Sequence, residues 1–148
     1  MGDIKKILVT TDLSDESLPG VRQAASLARK LEAGVVLLYV LEDHLPPIMM
    51  FTTEEERGDL LEQHRARAAG KLGEYAELHL AGCETETAAV LGIADKEIVR
   101  FAEENAVDLI VMASHGYGPV RQLLLGSTTE RVLHHASCPV LVIPSKAG

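Results

Sequence analysis

Two short segments of this chain gather the residue types that hold phosphate. One is Ala113-Ser114-His115-Gly116-Tyr117-Gly118-Pro119, where small and polar residues let backbone amides approach a ligand. The other is Gly126-Ser127-Thr128, ten residues beyond Gly116 and just ahead of a helical stretch. A glycine and two hydroxyls at a helix N-terminus supply open amides, the positive end of the dipole and hydroxyl donors. Plainer roles fit the same residues. Ser127-Thr128-Thr129-Glu130 has the form of a capping box, and Gly116 and Gly118 suit a turn. A third segment, Thr10-Thr11-Asp12-Leu13-Ser14, sets a carboxylate among hydroxyls after the first apolar run. No Walker lysine follows the glycines, no Gly-x-Ser-x-Gly elbow occurs, and no general base is aimed at a terminal phosphate. Asp12 is a candidate metal partner rather than a demonstrated catalyst.

Other polar residues read more simply. His134-His135 fall in the last turn of the final helix, where a cation favours the dipole. His44, His64 and His79 are scattered without zinc-type spacing, and Cys138 before Pro139 reads as a small packed hydrophobe.

The elements that must position these segments follow from hydrophobic pattern. Ile4–Thr10, Gly34–Leu41, Val107–Ala113 and Pro139–Ile143 read as strands, the last three nearly continuous Val, Ile and Leu, as befits a parallel sheet buried on both faces. Glu84–Val90 alternates and carries two Glu, which predicts a partly exposed edge strand. Helical spacing runs from about Asp15 to Ala33, with Leu18, Val21, Ala25, Ala28 and Leu31 on one face. A longer helix opens near Glu54 behind the capping box Thr53-Glu54-Glu55-Glu56, carrying Leu61, Arg65, Ala68, Leu72, Tyr75 and His79 on one face. Ile98, Phe101 and Ala102 mark a third helix after Gly92, and Thr128–Ala136 a fourth. Alternating strands and helices predict a single doubly wound α/β domain over residues 1–148, with right-handed crossovers. Ligands of such sheets bind beyond the strands' carboxyl ends, where the winding reverses. The stretch Glu42–Thr53, interrupted by Pro46-Pro47 and ending in Ile48, Met49, Met50 and Phe51, is expected to fold back on the core; the alternative is a lid or contact surface.

Composition narrows the function classes. The 148 residues are 47% apolar and carry a formal charge of −8, enough chain to bury a core without disulfides. The acidity and the scarcity of aromatics argue against a grip on nucleic acid, and no apolar run approaches a membrane span. Cys83 and Cys138, far apart, suit a reducing, cytoplasmic setting rather than a disulfide framework. Charge is uneven: residues 113–148 sum to +2 and residues 1–112 to −10, so an anionic ligand should prefer the C-terminal quarter.

Taken together, these residues resemble the universal stress protein family. Gly116, nine residues, Gly126 and Ser127 match the latter part of its nucleotide motif, and Ala113 stands where the motif has its first glycine. The likeness runs the whole chain, through ILVTTDLS, LLYVL, VDLIVMASHG and ERVLHHASCPVLVIP. It implies a Rossmann-like, five-stranded parallel sheet of order 3-2-1-4-5 that binds ATP, with Mg²⁺ or Mn²⁺ accompanying the phosphates near Asp12. By position, Thr10 and Thr11 would line the ribose edge with Asp12, and Val40 would meet the adenine. Met112, Ala113 and Ser114 would flank the nucleoside, while His115, Gly116, Gly126, Ser127, Thr128 and Thr129 would hold the phosphates. The resemblance further implies a homodimer through Pro139–Ile143 and a nucleotide-responsive regulator in stress adaptation, with an unidentified protein partner. A slow ATPase or phosphotransferase, and a module that has lost nucleotide binding, are the rival readings.

Overall fold

The computed structural model describes residues 2–42, 53–114 and 125–144. Five strands form one sheet: β1 (Lys6–Thr10), β2 (Gly34–Leu41), β3 (Thr85–Leu91), β4 (Leu109–Ala113) and β5 (Val140–Ile143). All pairings are parallel and the order is β3-β2-β1-β4-β5, as the sequence pattern and the resemblance predict. The helices are α1 (Leu18–Leu31), α2 (Glu54–His79), α3 (Ala94–Glu104) and α4 (Ser127–His135).

Each face of the sheet has its own core. Ile7, Val9, Val35 and Leu37 point to one side and meet Val21, Ala24 and Ala28 of α1 and Leu72 and Ala76 of α2. Leu8, Val36, Leu38 and Ile110 point to the other and meet Ile98 and Ala102 of α3 and Val132 of α4. Right-handed crossovers require this division. Connections that step toward β3 lie on one face, and those that step toward β5 lie on the other. The winding therefore reverses between β1 and β4.

Pairing at that seam is short. β1 and β4 are in register from Ile7–Leu109 only to Val9–Val111, whereas β1 stays paired with β2 through Thr10–Leu38. Thr10 and Met112 thus diverge, and a crevice opens between them.

Two expectations need adjustment. The first helical stretch divides into a 3₁₀ turn, Asp15–Ser17, and α1, with Pro19 within the first two positions, where its missing N–H costs nothing. α1 then ends at Glu32 in a left-handed cap, φ 54°, ahead of Ala33, and Leu31 is left exposed rather than on the buried face. The capping box at Thr53 forms as expected, with Thr53 and Glu56 bonding each other's amides.

Candidate functional site

β1 ends in a tight corner. The Ser17 hydroxyl donates to Ser14 O at 2.9 Å, so the buried Thr11 hydroxyl, 2.7 Å away, donates to Ser17. Thr11 Oγ1 also accepts the Leu13 amide at 2.9 Å. Its only proton is committed inside the protein, so Thr11, which also lines the cleft, braces the corner. Asp12 Oδ1 accepts from the Ser14 amide at 2.9 Å and from the Ser14 hydroxyl. Between these bonds Leu13 is held at φ 67°, the left-handed region, at a cost of about 1–3 kcal/mol. Packing of Leu13 on the α1–α2 core offsets part of that cost. The corner brings the Asp12 carboxylate to the crevice.

The far side is built from β4 and α4. Ser114 donates to Ile143 O at 2.8 Å and accepts the Gly126 amide at 3.1 Å, which stitches the start of α4 to the end of β4. Thr129, buried, donates its hydroxyl to Ala113 O at 3.1 Å. Like Thr11, it fastens the wall of the site. Ala113 has no positive φ, so replacing the motif's glycine adds a methyl without backbone strain. Behind it α1 comes close: a Cβ on Gly20 would stand 3.3 Å from the Ala113 nitrogen.

The capping box read at Ser127–Glu130 does not form. Gly126 is the N-cap, at φ −61° and ψ 151°, and Ser127 is already the first helical residue. The Glu130 amide bonds back to Gly126 O at 3.0 Å, and Gly126 has no side chain with which to cap the first turn. The opening amides of α4 thus remain available to an anion.

These pieces line one cleft of roughly 1020 Å³ at the carboxyl end of the sheet. Thr10, Asp12 and Val40 stand on its β1–β2 side; Met112, Ala113, Gly126, Ser127 and Thr128 stand toward β4 and α4. Met112 is nearly all core, 4% exposed. His115 and Gly116 lie outside the described residues, as does most of the stretch Glu42–Thr53. Asp12, Glu16 and Glu42 are the carboxylates along the cleft, and among the described residues that line it there is no Lys or Arg. Among the described residues no group of three His, Cys, Asp or Glu is arranged to hold a metal ion. A cation here would need phosphate oxygens to complete its shell.

Sequence reasoning missed Leu61 and His64 of α2, which line the β2–β3 end of the cleft with Leu91 and Ala94. The available signal was length. Twenty-six helical residues span about 39 Å, against about 26 Å for the eight residues of β2, so α2 must overrun the sheet. Its first turns lie beside the cleft, because a helix feeding a parallel strand begins at the sheet's carboxyl end. Elsewhere, burial pushes the Cys138 thiol up, consistent with a packed rather than nucleophilic cysteine.

Fold and cleft together define a doubly wound α/β protein with a ligand-sized opening at its topological switch point. Residues 3–144 match the profile of the universal stress protein family. The chain belongs to that family. Universal stress protein MJ0531 of Methanocaldococcus jannaschii is 37% identical over 142 residues, covering 94% of this chain and 81% of its own length. The solved structure of MJ0577 from the same organism is 30% identical, with a TM-score of 0.78 over 97% of each chain. A universal stress protein solved in complex with cAMP shares the fold at 22% identity and a TM-score of 0.68, over 97% of this chain and 99% of that one.

Proposed function

We propose that this chain binds ATP in the cleft and acts as a nucleotide-responsive regulator rather than as an enzyme. The observation that carries the reading is the convergence of three features on one opening: the Asp12 corner, the end of β2 at Val40, and the uncapped start of α4. Such a set matches what a nucleotide offers. An apolar end suits the base, a carboxylate suits ribose hydroxyls or a phosphate-bound cation, and helix amides suit phosphate oxygens. The cAMP complex supports the adenine nucleotide class by analogy of fold.

The site residues in this proposal are Thr10, Asp12, Val40, Met112, Ala113 and Ser114 for the nucleoside side. Gly126, Ser127 and Thr128 hold the phosphates, with His115 and Gly116 completing the motif outside the described residues. Thr11 and Thr129 brace the walls. Asp12 would be the protein's ligand to Mg²⁺ or Mn²⁺ carried by the nucleotide, which would neutralise phosphate charge there. The binding reading is favoured over turnover because phosphoryl transfer needs positive charge around the transferring group, and the described lining supplies no Lys or Arg. In this role the chain acts as one domain, works in the cytoplasm and reports nucleotide occupancy to a protein partner.

The test is thermal unfolding of nucleotide-free protein with Mg-ATP. At a hundredfold excess over the dissociation constant, binding should add about 2.7 kcal/mol of stability. Gly126→Val, whose branched side chain blocks approach to the helix amides, should fold but lose the effect. No stabilisation of the parent at millimolar Mg-ATP overturns the reading. Repeated phosphate release by the parent that vanishes in Asp12→Asn and Gly126→Val would establish an enzyme instead.

A further inference from the structure

α2 overruns the sheet, and the part that overruns is unlike the rest. Its buried residues, Ala68, Leu72 and Ala76, all lie in the second half; Glu54–Arg67 buries none fully. Within that first half, Leu61 and His64 sit three residues apart, hence on one face, and both line the cleft. The position along the cleft is fixed by topology. α2 packs on β3 and β2, at the opposite end of the opening from α4 and its amides. Here the lining is otherwise nearly apolar: Leu38, Val40, Leu41, Leu91, Ala94 and Ile98. Among the described residues lining this end, only Tyr39, Glu42 and His64 offer polar side-chain atoms, and a Glu42 carboxylate oxygen already accepts the Ala94 amide at 3.3 Å. Tyr39 packs with the α1–α2 core, and Val40 with the α3–α4 core. His64 therefore stands on the Tyr39 side of the β2 end.

We infer that Leu61 and His64 make α2 the outer wall of the base end, with His64 the specificity-determining side chain for the nucleobase. The inference rests on the nucleotide-binding reading above. An apolar slot accepts any flat ring, and discrimination between rings requires a polar group at its edge. An imidazole fills that role, because one ring nitrogen donates and the other accepts. Leu61, one turn away, supplies apolar contact to the ring.

Titration calorimetry of the whole chain with adenosine, AMP, Mg-ATP and Mg-GTP tests this. His64 is exposed, so His64→Ala and His64→Gln should fold with the parent's melting temperature. His64→Ala should weaken adenosine, AMP and ATP alike by about threefold to tenfold, the range for one hydrogen bond. It should also narrow the preference for ATP over GTP, and His64→Gln should restore part of both. Unchanged affinity and preference in His64→Ala, beside a parent that binds, overturns the assignment of His64 alone. A loss seen with ATP but not adenosine also overturns it, by placing the imidazole at the phosphates. A parent that binds none of the four ligands overturns the nucleotide reading itself, and this inference with it.

Discussion

Tyr75 has a buried hydroxyl that finds no hydrogen-bond partner among the described residues. Its ring packs against His79, with centroids 4.4 Å apart, and into the α1–α2 core. An unsatisfied buried hydroxyl costs about 1–3 kcal/mol, so Tyr75→Phe should raise stability by about 1 kcal/mol in urea titration. A loss of similar size would show that the hydroxyl is satisfied after all. Near the cleft, residues differ in how far the sequence alone reveals their roles. Asp12, Gly126 and Ser127 could be placed at the cleft from their position, since they follow a strand or open a helix at the sheet's carboxyl end, even though capping and turn roles fit the same residue types. The duties of Thr11 and Thr129 could not. Their partners, Ser17 and Ala113 O, are six and sixteen residues away, and only the fold brings them into reach.

Among elements, the contact between α1 and β4 lies directly behind the cleft. Gly20 permits it, since even a bare Cβ would meet the Ala113 nitrogen at 3.3 Å. A methyl there is tight but gains about 1 kcal/mol of helix propensity, so Gly20→Ala should be close to neutral. Gly20→Val adds branches that push α1 away from a central strand. It should cost about 1–3 kcal/mol, read by urea midpoint, and reduce the stabilisation by Mg-ATP because Ala113 moves. Parental ATP response in a destabilised Gly20→Val would separate α1 packing from the site. Element boundaries were legible where one force dominates. β2 matches its apolar run at both ends, Gly34–Leu41, because a strand buried on both faces must be apolar throughout. β4 starts two residues later than its apolar run suggests. The Asp108 carboxylate, just ahead of it, instead accepts the Lys5 and Lys6 amides. The overrun of α2 extends the periodic face by Leu61 alone, and nothing in that pattern marks that Leu61 and His64 face an opening rather than a core.

For the whole molecule, the two sheet edges differ. β3 carries the exposed Glu86, whereas β5 is Val-Leu-Val-Ile with every residue only half-buried. An apolar strand left half-covered at an edge invites a partner. If the homodimer through Pro139–Ile143 that the family resemblance implies is formed, Ile143→Asp should sediment as a folded monomer where the parent sediments as a dimer. A variant dimer of unchanged affinity would move the interface elsewhere.

The seam between β1 and β4 also sets an order of events during synthesis. Ile7 pairs with Leu109, about a hundred residues later in the chain. A ribosome adding about 5–20 residues per second needs on the order of 5–20 seconds to cover that distance. Once β2 has been made, β1 has a partner on one flank but nothing on the other until β4 follows, and the crevice has only one bank. The cleft comes into being only when β4 and then α4 arrive, bringing its second bank and the opening amides of the helix.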